Sequence, residues 1–577
     1  MFAEEPHFSF KSLFVPLTTA KAISFIILIG IIVFGNMLFN NFVADDITIL
    51  SNPIIQSIGN LPILLLQKMV NSTGSGLLTG SYYVPFSLIT LSFIYSTFGN
   101  IPFFFHLFQL ILHIASASMV FIIFTRIFSK KISLFLSLIF LIHPINQETV
   151  AYIADYQDIL YLFWGLLALT IFLKIKNGKL TLLKLSAISL LLLFSILSKI
   201  TGILFLALIF VYVGINYKKN FFQYFFAFTA ILIFYFILKF SATNVLFAIE
   251  PSSIGRVDEF IRFITIPKIF FYYIFTFFYP KTLIAQQDWI VQSINFTDFY
   301  LPLLMDALFI AGVTTLGILT YKKSKKIFPV FVFFCLWFAM GIILHIQILP
   351  LDFTVSDRWF YFPIIGFLGL VGVAIQILKI TPKVLIAVSL IIIIILSMRT
   401  IDRNKNWKDG FTLYSHDLAF AKDNVYLNGL LGNEYMNMGK YDDALVYFYK
   451  VAKLTPLQER NWINIGASYY LKGDLKLSEK YFRKAAEVGK SQTKYDRLGQ
   501  LYIQEKRFKE AKSVYELAAK EFPKYQRVQL YLAYCEYNLH NKQKALEIAT
   551  KAYQENPTSE SQYVLTQITN DQEIKLQ

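Results

Sequence analysis

Long apolar runs broken by short polar joints make up most of residues 1–400, and a repeat with a period near 34 residues occupies 425–557. Runs near 20–40, 101–127, 132–145, 157–174, 180–197, 201–217, 220–241, 262–282, 300–320, 327–348, 358–379 and 382–398 approach the roughly 20 residues that carry a helix across a bilayer. They predict membrane helices. The run at Ala20–Asn40 reads as a retained first span, because Met1–Lys21 lacks the short apolar stretch and small-residue site of a cleaved leader. With the N-terminus inside, Arg126–Lys131, Lys174–Lys184 and Lys218–Lys219 face the cytoplasm, but strict alternation of twelve spans places Lys322–Lys326 outside. One re-entrant or interfacial segment between 180 and 282, most simply 262–282, returns that cluster and Lys379–Lys383 to the inside. The expectation is eleven spans and a long outer loop, 41–100, whose amphipathic pieces Pro53–Val70 and Tyr82–Phe98 suit the membrane surface.

The repeat aligns Leu431-Gly432, Tyr435, Ala444, Phe448 and Pro456 with Ile465-Gly466, Tyr469, Ser478, Phe482 and Ala485. It continues through Leu498-Gly499, Tyr502, Ala511, Tyr515 and Pro523, and then Leu532-Ala533, Ala545, Ala552 and Pro557. Small residues at fixed offsets let two helices of a hairpin approach, aromatic residues fill the space between hairpins, and proline breaks the chain between units. The pattern resembles tetratricopeptide repeats, four of them followed by a capping helix within 559–577. Such arrays hold peptides on a concave surface, which implies a protein partner and no catalysis of their own.

The expected fold class is therefore all-α: a polytopic membrane domain over 1–400, a linker at 401–424 and a tetratricopeptide solenoid over 425–577. Composition agrees, since 56% of 577 residues are hydrophobic and mean hydropathy is +0.54, too apolar for a wholly soluble protein. Of the net charge of +16, +11 belongs to residues 1–400, which hold 26 Lys and Arg against 15 Asp and Glu. Basic cytoplasmic loops account for this without a nucleic-acid partner. Cys335 lies in an apolar run and Cys535 in the repeats, so a disulfide between them is not expected.

Against so few acids, the adjacent Asp45 and Asp46 just beyond the first span point to chemistry, because carboxylates at a bilayer edge cost free energy. Either is suited to take a proton from an acceptor hydroxyl. A second loop on the same face carries His143, Glu148, Asp155 and Asp158, and further polar residues return there at Lys199, Asp288-Trp289 and Arg358. Arg358 and Lys199 suit a phosphate, the first bidentately and the second as a point charge. Plainer roles fit as well: loop acids for Glu148, Asp155 and Asp158, headgroup anchors for Lys199 and Arg358, and core histidines for His106 and His113. No zinc spacing, Gly-rich phosphate loop or nucleophile elbow appears.

In their order along the chain, these residues resemble those of the transmembrane and tetratricopeptide repeat-containing (TMTC) proteins and their prokaryotic relatives, within the GT-C glycosyltransferases. The resemblance runs through Asp45-Asp46, Phe105-His106-Leu107 to His113, His143-Pro144 with Glu148-Thr149-Val150, and Leu197-Ser198-Lys199-Ile200-Thr201-Gly202. It continues through Asp288-Trp289, Asp357-Arg358 with Tyr361 and Pro363, Arg403-Asn404 with Trp407, and the repeats. It implies inverting transfer of a monosaccharide, mannose in eukaryotic members, from a polyprenyl-phosphate donor to an acceptor hydroxyl such as protein Ser or Thr. By position, it assigns the base to Asp45 or Asp46, with His143, Lys199 and Arg358 around the donor phosphate and His106, Asp288 and Trp289 as further donor or acceptor contacts. Ile200 stands where the family often has Glu, and Tyr156-Gln157 where it often has Gly-Arg. No cofactor or metal is expected, although Asp45 and Asp46 with Asp155 or Asp158 also suit a divalent cation. The active site and repeats are expected on the outer face, of the plasma membrane in a prokaryote or the endoplasmic reticulum in a eukaryote. Rival readings are a non-enzymatic membrane scaffold, a lipid-linked glycan polymerase or ligase, and a transporter, the last lacking paired charges near the midpoints of its spans.

Overall fold

The computed structural model describes residues 16–66, 83–175, 180–216, 220–243, 254–285, 287–489, 491–523, 525 and 527–574. Among them the chain is all-α, with no strand beyond a single bridge between Gln287 and Val355. It divides into two compact units, one ending at Ala421 and the other running from Lys422 onward.

The first unit comprises α1 (Thr19–Phe34), α2 (Asp45–Leu50), α3 (Leu61–Leu65), α4 (Pro85–Phe98), α5 (Pro102–Phe124), α6 (Lys130–Ile142), α7 (Gln147–Ala151), α8 (Tyr156–Leu173) and α9 (Leu182–Ser198). It continues with α10 (Ile203–Asn216), α11 (Phe221–Thr243), α12 (Glu259–Phe278), α13 (Leu301–Lys323), α14 (Phe328–Ile343), α15 (Pro363–Ile377), α16 (Pro382–Asn406) and α17 (Gly410–Phe420). Thr18, Ser129 and Thr181 cap α1, α6 and α9, each accepting a first-turn backbone N–H. Proline opens several others, where its missing N–H costs nothing. Among the described residues, seven helices are long and apolar enough to cross a membrane; an eighth span arises if Lys130–Ile142 and Pro144–Ala151, bent by 47°, count as one, and five shorter apolar helices accompany them. The protein is a multi-pass membrane protein.

The chain between the first two long spans is more than a surface loop. Phe86 of α4 stacks on Phe194 of α9 at 4.7 Å, and Ser87 donates to the Ser198 carbonyl, so α4 packs into the bundle. The amphipathic piece expected at Pro53–Val70 breaks into short turns up to Leu66; residues 67–70, and Tyr82 of the second piece, lie outside the described residues, as do Lys218 and Lys219. The stretch 401–424, expected as a linker, is instead largely structured: α16 runs to Asn406, and α17 is anchored through Asp417, whose oxygens accept from Arg403 and from the backbone of Ala285. A buried ion pair, invisible to hydropathy, extends the membrane unit to Ala421.

The second unit stacks four helix pairs: α18 (Val425–Asn437) with α19 (Tyr441–Leu454), α20 (Glu459–Leu471) with α21 (Leu475–Val488), α22 (Thr493–Gln504) with α23 (Phe508–Glu521), and α24 (Arg527–Asn538) with α25 (Lys542–Glu555). Then α26 (Ser559–Thr569) closes the array behind a Thr558–Ser561 capping box. The repeated glycine explains the pairing. A β-carbon on Gly432, Gly466 or Gly499 would lie 2.6, 2.5 or 2.4 Å from Phe448, Phe482 or Tyr515, so each aromatic ring of a second helix seats against a bare backbone on the first. Each hairpin turns through a left-handed residue, Gly439, Gly473, Lys506 and His540 in turn.

Candidate active site

Asp46 locks the turn after α1 onto the turn between α7 and α8. Ala44 adopts φ 48°, folding the chain so that Asp46 Oδ2 accepts from the Val43 N–H at 3.0 Å, while Oδ1 accepts from the Ala154 N–H at 2.6 Å. The side chain is buried, and burial pushes its carboxyl well above the usual range against the pull of those two N–H groups. Asp45 stands beside it, half-buried, its backbone N–H donating to the Tyr152 hydroxyl at 3.3 Å. The pair is thus divided into a buried carboxylate held by two backbone N–H groups and a half-buried one in the first turn of α2.

A buried charge cluster lies next to them. Arg358 Nη1 donates to Glu148 Oε1 at 3.0 Å and to Asp155 Oδ2 at 2.8 Å; its Nε is buried with no hydrogen-bond partner. Glu148 also accepts from the Ser356 hydroxyl at 2.9 and 3.0 Å and from the Arg358 N–H at 3.2 Å. Lys199, at the end of α9, reaches both oxygens of Asp158 at 2.8 Å. Although burial alone would favour a neutral guanidinium, Asp155 and Glu148 hold Arg358 firmly protonated. The two cations assigned to a phosphate are therefore each countered by acids of the second loop, with the unpartnered Nε of Arg358 the donor left for an anion.

Asp357 turns the other way. It accepts a very short hydrogen bond from Tyr272, which accepts from the Gln287 amide at 2.7 Å, and Gln287 in turn accepts from the Trp289 indole at 3.1 Å. Burial pushes the Asp357 carboxyl up to about 7, against the Tyr272 hydrogen bond. Asp288 is exposed on this loop, and the Trp289 ring lies under the Lys268 ammonium at 4.8 Å. Asp288 and Trp289 thus sit one hydrogen-bonded chain away from the Arg358 cluster.

The histidines do structural work. His143 accepts from the Ile145 N–H through Nδ1, bonds the Phe277 carbonyl through Nε2 and stacks on the Phe277 ring at 4.8 Å, which leaves neither nitrogen for a phosphate. His113 bridges Tyr361 and the Leu141 carbonyl. His106 is buried with neither nitrogen in hydrogen-bond geometry, close to Gln109, which itself holds the Tyr152 carbonyl. Sequence reasoning missed Tyr272, Gln287 and Tyr152. Tyr272 lies inside the apolar run Ile269-Phe-Phe-Tyr-Tyr-Ile274, where nothing marks one tyrosine as polar in role. Among the described residues, no three His, Cys, Asp or Glu side chains converge as a metal site.

Comparison with known proteins agrees with this arrangement of units. Two tetratricopeptide repeat models match residues 430–492 and 502–568. Protein O-mannosyl-transferase TMTC3 of Mus musculus is 28% identical over 192 residues, 32% of this chain and 20% of that protein. Protein O-mannosyl-transferase F38B6.6 of Caenorhabditis elegans is 23% identical over 461 residues, 75% of this chain and 63% of that one. The chain is similar to TMTC-type protein O-mannosyl-transferases over part of its length. The TMTC-like match spans a fifth of the mouse protein and less than two thirds of the nematode protein. Among solved structures, YrrB, a TPR protein with an unusual peptide-binding site, is 16% identical over 27% of this chain and 82% of its own, with a TM-score of 0.24.

Proposed function

We propose that this TMTC-like chain is a membrane glycosyltransferase of GT-C type that transfers mannose from a polyprenyl-phosphate donor to a Ser or Thr hydroxyl of an acceptor protein, with inversion. The observation that carries the reading is the division of labour at Asp45-Asp46 beside a buried Arg358 with a spare N–H. Asp45 accepts the proton of the acceptor hydroxyl as that oxygen bonds to the anomeric carbon. The bond from that carbon to the phosphate oxygen breaks on the opposite face, its electrons leaving with the phosphate. Arg358 Nε meets the charge that develops there, a task for a positioned cation in a water-poor site that needs no metal. The names of the mouse and nematode relatives support the reaction class.

The basic joints support an outer location. Lys130-Lys131, Lys322–Lys326 and Lys379–Lys383 lie at the ends of α6, α13, α15 and α16 remote from Asp45, so the positive-inside rule puts Asp45 outside. The tetratricopeptide unit supports capture of an acceptor protein. The test is transfer of labelled mannose from polyprenyl-phosphate mannose to host envelope proteins by the reconstituted full chain, with release of label by β-elimination. Label retained in lipid, or transferred to another glycan alone, would replace the reading with a scaffold or a glycan polymerase.

A further inference from the structure

By length and composition α12 qualifies as a span, yet everything its polar edge touches lies at one end of the bundle. Thr265 accepts from the Val291 N–H at 3.2 Å and Lys268 pairs with Asp298 at 2.7 Å, both partners in the chain leading into α13. Tyr272 and Tyr273 bond Asp357 and Ser356, which lead into α15. The Phe277 carbonyl meets His143 at the end of α6, and the Pro280 and Lys281 carbonyls accept from Arg399 at 3.0 and 2.8 Å within the last two turns of α16. Within the helix, Thr265 to Phe277 covers about 18 Å at 1.5 Å per residue, more than half of a hydrocarbon core of about 30 Å. A helix crossing the membrane would not meet the same end of its neighbours over that length. Its ring contacts agree: Phe270 meets Phe309 eight residues into α13 and Phe338 five residues before the end of α14.

Connectivity points the same way. Tyr235, in the last third of α11, packs against Tyr83 just before α4, and α4 bonds the Ser198 carbonyl beside Lys199, so α11 ends where the site is. The start of α13 is at that end too, through the Lys268–Asp298 pair and the Gln287–Val355 bridge. The helix between them must therefore return to the side from which it began.

We propose that α12 does not cross the membrane but lies in the leaflet at the Asp45 end, its polar edge on the site and its opposite edge in lipid. That opposite edge carries Phe260, Phe263, Phe275 and Phe278, 59, 70, 48 and 68% exposed, and Leu304 and Leu308 on α13 are exposed apolar side chains as well. An amphipathic helix with large aromatic residues on one face is suited to the boundary of headgroups and acyl chains. The partner is the bilayer itself.

The test uses the full chain with Cys335 and Cys535 replaced by serine, in sealed vesicles treated with a membrane-impermeant maleimide. Glu259→Cys and Lys281→Cys replace exposed side chains at the two ends of α12, and Lys325→Cys marks the opposite face. Both α12 positions are expected to react from one side and Lys325→Cys from the other. Glu259→Cys reacting with Lys325→Cys, and Lys281→Cys from the opposite side, would overturn the proposal. Spin labels at Phe263→Cys and Phe278→Cys give an independent reading: equal shallow depth is expected, and a difference approaching the roughly 22 Å between them along the helix would overturn it.

Discussion

Arg358 and Asp155 are joined at 2.8 Å between Nη1 and Oδ2, both side chains buried, although 203 residues separate them in the sequence. The same Nη1 holds Glu148, so one guanidinium ties the turn before α15 to both parts of the second loop. Breaking a buried pair from one side leaves a charge without solvent or partner.

Arg358→Ala strands two carboxylates and is expected to lower stability by about 3–5 kcal/mol. Glu148→Gln, which keeps Asp155 on the arginine and remains able to accept from Ser356, is expected to cost less than half of that. Thermal unfolding of both variants in detergent checks the order. Equal losses would mean that Arg358 is not the shared centre.

Asp357 makes stability depend on pH. Its carboxyl is raised by burial to about 7, so between the ordinary aspartate value near 4 and about 7 the folded chain keeps a proton that the unfolded chain has released. The stability this contributes is full below about pH 4 and is lost as pH rises through about 7. Unfolding of wild type at pH 5, 6.5 and 8 should show stability falling, and Asp357→Asn, permanently neutral, should flatten that fall. An unchanged slope in the variant would assign the effect elsewhere.

In the repeats, Gly466→Ala places a methyl 2.5 Å from the Phe482 ring and is expected to destabilise the array by roughly 1–3 kcal/mol. Gly429→Ala, also within a first helix but with nothing within 4 Å of the new carbon, is expected to stabilise it by about 0.5–1 kcal/mol. Limited proteolysis of the full chain reads both. The opposite order would contradict the packing described.

The repeats were legible because their signal is local: a glycine and an aromatic at fixed offsets are both in the sequence and in contact. The membrane helices were legible from apolar length. What hydropathy does not carry is which polar residue pairs with which. Lys199 and Arg358 are visible as cations near the ends of apolar runs, but their commitment to Asp158, Glu148 and Asp155 depends on three-dimensional closure. The family resemblance puts His143 among the residues around the donor phosphate, whereas its ring is used to fix α6 against the Phe277 carbonyl. Asp45 and Asp46 look equivalent in sequence; the burial of Asp46 and its bonds to the Val43 and Ala154 N–H groups separate them.

That separation is the central claim, and mannose transfer by Asp45→Asn and Asp46→Asn, each measured beside its melting temperature, tests it most directly. Asp45→Asn should lose less stability than Asp46→Asn, with transfer reduced by about 10²–10⁴-fold. Asp46→Asn should instead lose about 1–3 kcal/mol of stability, because its amide presents one acceptor to two N–H donors. Full transfer by a stable Asp45→Asn protein would contradict the assignment of Asp45 as the base.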